Sequence, residues 1–288
     1  MIRFGAVYPQ TEYETSPARV REFAKTAEEL GYDHIVAYEH VLGVDPASPA
    51  ASSGPYRLEH SFLSPFVLFS FMAAATTKIE FATGILILPQ RQTALVAKQA
   101  ASLDVLSGGR LRLGIGVGWN QGEYIALGEN FHDRGIRSAE QVELLRALWS
   151  QESVTFESRW HHFPQVGINP RPQRSIPIWF GGGADAVLRR AARLGDGWMT
   201  NYRKAEAAIP ALEKLRKYLA QAGREPESFG LEARLRLADM RLQDMEGELR
   251  AWEQAGATHL SLNTMGCGFQ SPEQHLGALR EFADAFLE

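Results

Sequence analysis

Four short stretches of this chain place reactive or ligand-holding groups where a folded backbone can present them. In Tyr38-Glu39-His40 a histidine follows a carboxylate. An imidazole changes charge near neutral pH, so His40 can donate a hydrogen bond to a ligand or move a proton, with Glu39 tuning it. A histidine that only caps a loop is the plain alternative. In Thr83-Gly84-Ile85 a glycine interrupts a β-rich run, which marks a bulge, a close backbone approach or a twist adjustment. Gly114-Ile115-Gly116-Val117-Gly118-Trp119-Asn120 alternates glycines, so the backbone can run close to a flat ligand or expose its amides. Its GxGxG spacing lacks the third glycine of a dinucleotide fingerprint. Gly181-Gly182-Gly183 opens directly into a helical run from Ala184. Free amides at a helix start favour an anion such as phosphate, and a flexible turn is the other reading.

Other residues carry less. His161 and His162 are adjacent, so in an extended segment they point apart and share a metal poorly. Cys267 is the sole cysteine, which excludes an internal disulfide and a cysteine metal cluster and suits small packing. Met240 and Met245 read as filler. Arg189, Arg190 and Arg193 read as a solvated helix face, with Arg190 also within reach of a phosphate. HExxH, P-loop and GxSxG patterns are absent, and no metal site is expected.

The elements that must position these groups alternate. Strands are predicted over 2–8, 33–38, 79–88, 110–117, 178–180, 198–201, 229–237 and 258–263. Helices are predicted over 17–30, 62–77, 93–106, 138–150, 184–194, 205–222, 244–255 and 272–287. In the first helix Val20, Phe23, Ala24, Ala27 and Leu30 share one face, and Gly31 stops it. A loop-rich stretch is expected from the helix at 138–150 to Pro177. Eight β/α units predict a closed parallel sheet, an α/β fold of the (β/α)8 TIM-barrel kind, as one domain over 1–288. In such a barrel the four stretches fall at strand C-termini, where barrel enzymes place their chemistry. The Pro-, Ala- and Ser-rich segment 45–57 is then a loop at the same mouth, either a lid or a passive surface loop.

The totals agree. The chain has 288 residues, a formal charge of -4 and a pI near 6.1, so nothing points to broad binding of nucleic acid. No apolar run is long enough to span a membrane, and no signal-peptide pattern opens the chain, so a cytoplasmic protein is expected.

Taken in order, these blocks resemble the luciferase-like monooxygenase superfamily, and within it the short coenzyme F420-dependent oxidoreductase class. The resemblance rests on Ala27-Glu28-Glu29-Leu30-Gly31-Tyr32-Asp33 with Glu39-His40, and on Thr83 to Pro89 leading into Ala97-Lys98-Gln99 and Leu103 to Arg110. It continues through Leu113 to Trp119, Ala126-Leu127-Gly128, Arg134-Gly135, Leu148-Trp149, Pro177-Ile178-Trp179, Gly181-Gly182 and Ala191 to Trp198. It covers most of residues 1–200; the last third matches only in its barrel pattern.

That resemblance implies a bacterial-luciferase-like barrel holding coenzyme F420, or alternatively FMN, with the ring against strand three. It implies a non-proline cis peptide at Gly84-Ile85, cofactor contacts from Val117-Gly118-Trp119, and phosphate contacts from Gly182 and Gly183. His40 matches a residue near the hydride-transfer centre. Where sugar-phosphate dehydrogenases of the class have Asp and Glu, this chain has Glu39 and Trp119, which puts that substrate in doubt; Glu123 is the nearest acidic candidate. The expected activity is hydride transfer between coenzyme F420 and a small organic substrate. An FMN-dependent monooxygenase and a non-catalytic flavin-binding barrel are the alternatives. A homodimer is implied, with a small-molecule substrate as the other partner.

Overall fold

In the computed structural model, residues 2–51 and 54–287 are described. Ser52 and Ser53, inside the loop predicted at 45–57, lie outside the described residues, as do the two terminal ones.

The alternation becomes a closed barrel. Its strands are β1 (Arg3–Val7), β2 (His34–Ala37), β3 (Glu80–Thr83) with its continuation β4 (Leu86–Ile87), β5 (Leu111–Gly116), β8 (Ile178–Gly181), β9 (Gly197–Met199), β10 (Gly230–Arg236) and β11 (His259–Asn263). All pair in parallel, and β3 also pairs with β5, which closes the ring. Helices α1 (Pro17–Glu29), α2 (Pro65–Ala73), α3 (Thr93–Ser107), α5 (Arg134–Ser150), α6 (Asp185–Leu194), α7 (Ala205–Gln221), α8 (Met245–Ala255) and α9 (Pro272–Phe286) pack around it. Their apolar stripes meet the outward faces of the strands and form the main core. Gly108 and Gly256 end α3 and α8 with φ of 73° and 96°, the left-handed cap that glycine adopts without Cβ strain.

Three features depart from the sequence expectation. The third strand is split after Thr83: the Gly84-Ile85 bond is cis, and the chain re-joins β5 at Leu86. A short helix, α4 (Gln121–Ala126), precedes α5. The stretch expected to be loop contains an antiparallel hairpin of β6 (Val154–Glu157) and β7 (His162–Val166). Thr93 and Glu140 hold both ring nitrogens of His161 in the turn of that hairpin, at 2.6 and 2.5 Å.

The lower half of the barrel interior is filled by charge. Ser261 donates to Glu232 Oε1 at 2.5 Å, and His34 Nε2 lies 3.1 Å from the same oxygen. Arg112 pairs with the other Glu232 oxygen and stacks 4.3 Å over Trp179. His259 meets Trp179 edge-on at 4.9 Å. Burial opposes ionisation of Glu232, yet Arg112 and His34 hold its carboxyl well below the usual range. Burial, with Arg112 beside it, pushes the His259 imidazole down to about 2. No helix among the described residues is long and apolar enough to cross a membrane.

Candidate active site

At the C-terminal mouth of the barrel lies a cavity of about 630 Å³, into which the ends of β2, β4, β9, β10 and β11 converge. That size suits a small-molecule site.

His40 lines it. Its Nδ1 is 3.1 Å from Glu123 Oε2. Glu123 is fully buried on α4, and its other oxygen accepts from the amides of Val41 at 2.5 Å and Leu42 at 3.1 Å. Burial alone would raise this carboxyl, but the hydrogen bonds from His40, Leu42 and Val41 bring it below the ordinary value. The imidazole sits among the rings of Phe62, Tyr56 and Trp119, with centroids at 5.1, 5.2 and 5.5 Å. Its Nε2 has no partner among the described residues.

Glu39 does not tune His40. Neighbours in an extended segment face opposite ways, and Glu39 turns into the wall, where Oε2 accepts from the Ile87 amide at 2.8 Å and Oε1 pairs with Arg91. It therefore clamps the segment that follows the cis peptide.

The floor of the cavity is the Gly84-Ile85 peptide. The Gly84 carbonyl accepts from Arg234 Nη2 at 3.3 Å, and that guanidinium lies 5.2 Å over the Tyr38 ring. A Cβ on Gly84 would fall 2.4 Å from Val36 Cγ1. The Ile85 side chain occupies the space that Gly116 and Gly181 leave open, where a Cβ would come within 2.5 and 2.6 Å of it. Two of the glycine stretches thus exist partly to seat one isoleucine.

Val117 turns its carbonyl to the Tyr124 hydroxyl at 2.7 Å. Gly118, at φ 63°, and Trp119 line the cavity. Gly54 of the 45–57 loop rests on the Trp119 indole so closely that a Cβ would fall 1.9 Å from it, and Tyr56 of the same loop lines the cavity. Gly182, at φ 112°, accepts from Trp198 Nε1 at 2.6 Å. Gly183 is exposed before α6, whose start has no side-chain cap, and it faces Tyr202, a cavity residue. At the rim, Arg203 and Arg236 share Asp239, at 3.2 and 3.8 Å.

Of the residues singled out in the sequence, the structure brings His40, Gly84, Ile85, Gly118 and Trp119 to the cavity lining, while Val117, Gly182 and Gly183 lie outside it, and the Gly84-Ile85 bond is cis. Sequence reasoning did not assign Arg234, whose signal was its place two residues beyond Glu232 on the inward face of β10. Glu123 entered only as a spare acid.

The site suits a flat heteroaromatic guest. Gly84, Ile85, Ile87 and Gly118 give it an apolar floor, and the buried Nε of Arg234 has no hydrogen-bond partner among the described residues.

Comparison with known proteins identifies the family. The chain is 31% identical over 219 residues to an F420-dependent glucose-6-phosphate dehydrogenase of Kineococcus radiotolerans, covering 72% of this chain and 60% of that protein. It is 34% identical over 148 residues to an FMNH(2)-dependent dimethylsulfone monooxygenase of Pseudomonas fluorescens, covering 50% and 40%. An F420-dependent secondary alcohol dehydrogenase, solved in complex with an F420-acetone adduct, shares the fold with a TM-score of 0.79 at 17% identity, over 100% of this chain and 99% of that one. The model of the luciferase-like monooxygenase family matches residues 2–284, and the chain belongs to that family.

Proposed function

We propose that this protein is an oxidoreductase that moves a hydride between coenzyme F420 and a small organic substrate. The observation that carries the reading is the His40–Glu123 pair, buried at its carboxylate end and open at the cavity end. When bound, the deazaflavin supplies the two-electron redox step. The protein's residues do the rest. Ionised Glu123 only accepts hydrogen bonds, so it holds a proton of His40 on Nδ1. Nε2 is then free to take a proton from a hydroxyl being oxidised, or to return one to a carbonyl being reduced. Gly84, Ile85 and Gly118 would hold the ring, Gly182 and Gly183 its phosphate, and Trp119 and Tyr56 would exclude water from the reacting face. The F420-dependent relative covers more of this chain than the FMNH(2)-dependent one, which supports the deazaflavin over FMN.

Equilibrium titration with coenzyme F420 and with FMN, followed by fluorescence, tests this. Tighter binding of coenzyme F420 is expected. Tight binding of FMN with no measurable binding of F420 would overturn the choice and favour a monooxygenase. Gly183→Asp places a carboxylate at the anion position and should abolish the preference for a phosphorylated cofactor. Unchanged affinity would move the anion site elsewhere.

A further inference from the structure

Three arginines, Arg203, Arg234 and Arg236, line the cavity around the ends of β9 and β10. Arg203 and Arg236 share a carboxylate, Asp239. Arg234 has none among the described residues. Its Nη1 donates to the Asn201 side-chain oxygen at 3.2 Å and its Nη2 to the Gly84 carbonyl at 3.3 Å, while its Nε is buried without a partner. Both acceptors are neutral, and the remaining neighbour is the face of the Tyr38 ring. A guanidinium has five N–H donors, so these two bonds leave most of its capacity over. A half-buried cation without a counter-charge costs free energy, and a charge-assisted bond to an anionic guest offsets that cost.

The carboxylates around the cavity do not supply the missing charge. Glu39 pairs with Arg91 in the wall, and Glu123 with His40. Glu12, in the loop after β1, accepts from the Gly266 amide at 2.7 Å and stands 3.6 Å from His275 Nε2. Burial holds that imidazole down to about 4, so it brings Glu12 no positive charge near neutral pH. The three arginines therefore outnumber Asp239 and Glu12 by one. A single surplus positive charge matches a monoanion better than a dianion.

This surplus lies close to the acid–base group. Tyr38 and His40 are two residues apart, roughly 7 Å along one side of an extended segment. The Arg234 guanidinium is 5.2 Å from the Tyr38 ring centroid. Tyr56 links the two groups from above: its ring lies 5.2 Å from that of His40. Burial, and then Tyr38, push its hydroxyl up to about 12 against the pull of Arg234 and Arg236. A small molecule can thus hold a reacting hydroxyl at His40 Nε2 while a carboxylate a few bonds away reaches Arg234.

We infer that the substrate is a monoanion, a hydroxy acid or its oxo counterpart, and that Arg234 selects its carboxylate, with Arg203 and Arg236 drawing it in from the rim. The carboxylate takes no part in the redox step, and none of its bonds change. This rests on the oxidoreductase reading of the cavity and names the substrate class for it.

The test separates charge from shape. Titration calorimetry at constant ionic strength compares mandelate with 1-phenyl-1,2-ethanediol, its neutral analogue, and with phenyl phosphate. Each is measured on the cofactor-free protein and on the protein saturated with coenzyme F420. Wild type should bind mandelate more tightly than the diol. Arg234→Gln should weaken mandelate by about 10–100-fold, the range for loss of a charge-assisted bond, and leave the diol unchanged. Arg234→Lys keeps the charge and serves if the glutamine variant does not fold; it should weaken mandelate by a smaller factor, again without touching the diol. No preference for mandelate over the diol in either form, or equal weakening of both by the variants, overturns the inference. Tighter binding of phenyl phosphate than of mandelate, lost in Arg234→Gln, overturns the carboxylate in favour of a phosphate monoester. The cofactor titrations keep the two readings apart. Intact binding of coenzyme F420 without any preference for the acid removes the substrate class alone. Acid recognition through Arg234 with no binding of F420 or FMN removes the oxidoreductase reading and leaves the anion site standing.

Discussion

Glu123 and His40 are 83 residues apart in sequence and 3.1 Å apart in space. The same carboxylate takes the amides of Val41 and Leu42, so one buried group fixes both the imidazole and the first residues of the loop that leaves β2.

Removing the imidazole tests its part in the chemistry. His40→Gln keeps hydrogen-bonding capacity but cannot titrate, and turnover should fall by roughly 10²–10⁴-fold. Melting temperature and cofactor affinity should stay near wild type. Normal turnover with a collapsed melting temperature would show that His40 serves the fold.

Glu123→Gln separates orientation from proton transfer. The amide cannot enforce the Nδ1 proton, so turnover should drop at least about tenfold while His40 remains present. The amide oxygen can still accept from the Val41 and Leu42 amides, but losing the charge that strengthens both bonds should cost about 1–3 kcal/mol. Paired turnover and urea-unfolding measurements check both effects; unchanged turnover per folded molecule would leave Glu123 a loop anchor only.

Arg91→Met should be among the more damaging changes near the cavity, since it strands the Glu39 carboxylate in the wall. Stranding one partner of a buried ion pair costs about 3–5 kcal/mol. Adding Glu39→Gln to Arg91→Met should recover part of it. If the double variant is no more stable than the single one, the pair is not what holds Ile87 in place.

The buried imidazoles give a pH dependence of defined sign. The unfolded chain binds protons at His259 and His275 near the ordinary value of 6.5, while in the fold burial holds them down to about 2 and about 4. As pH falls below 6.5 the unfolded state takes up protons that the native state refuses, so stability declines. The lowered carboxyl of Glu232 adds to the decline below its ordinary 4.5. Denaturant midpoints between pH 7 and pH 4 should fall steadily, and His259→Asn should flatten the curve. A profile that is level over this range would contradict the burial of neutral imidazoles.

Gly114→Ala addresses the split third strand. A Cβ at Gly114 would fall 1.9 Å from the Thr83 carbonyl oxygen and 2.6 Å from Met199 Sδ. Backbone cannot yield as a side chain does, so the loss should reach at least about 1–3 kcal/mol. Gly277→Ala, on a helix with nothing within 4 Å of the added atom, is the control and should cost little.

The barrel was legible because each strand and helix writes its own period into consecutive residues. The hairpin of β6 and β7 was not, since both strands are short, largely exposed and interrupted by Pro164, so no alternation of apolar residues marks them. The cis bond at Gly84-Ile85 was legible only through family resemblance; from the residues, Gly84 marked a bulge, a close approach or a twist within one strand over 79–88. Among the site residues, His40 announced itself by type and by its place at a strand end. Its partner did not, because two residues on different elements meet through the barrel's closure and not through spacing. Glu39 misled for the opposite reason, since adjacency in sequence placed it on the other side of the backbone.

The charged filling of the lower barrel sets how this protein can change. Gly5 has no Cβ because the His34 ring stands in its place, His34 needs Glu232 and Ser261, and Glu232 needs Arg112, which is stacked on Trp179. No member can be exchanged alone without stranding another, so this half of the molecule varies only by coordinated replacement. Among the described residues, Tyr56 and Trp119 at the mouth are tied to their neighbours by ring contacts and not by a closed circuit of buried charges. Altered substrate preference is therefore reachable there by single steps, above a base that stays the same.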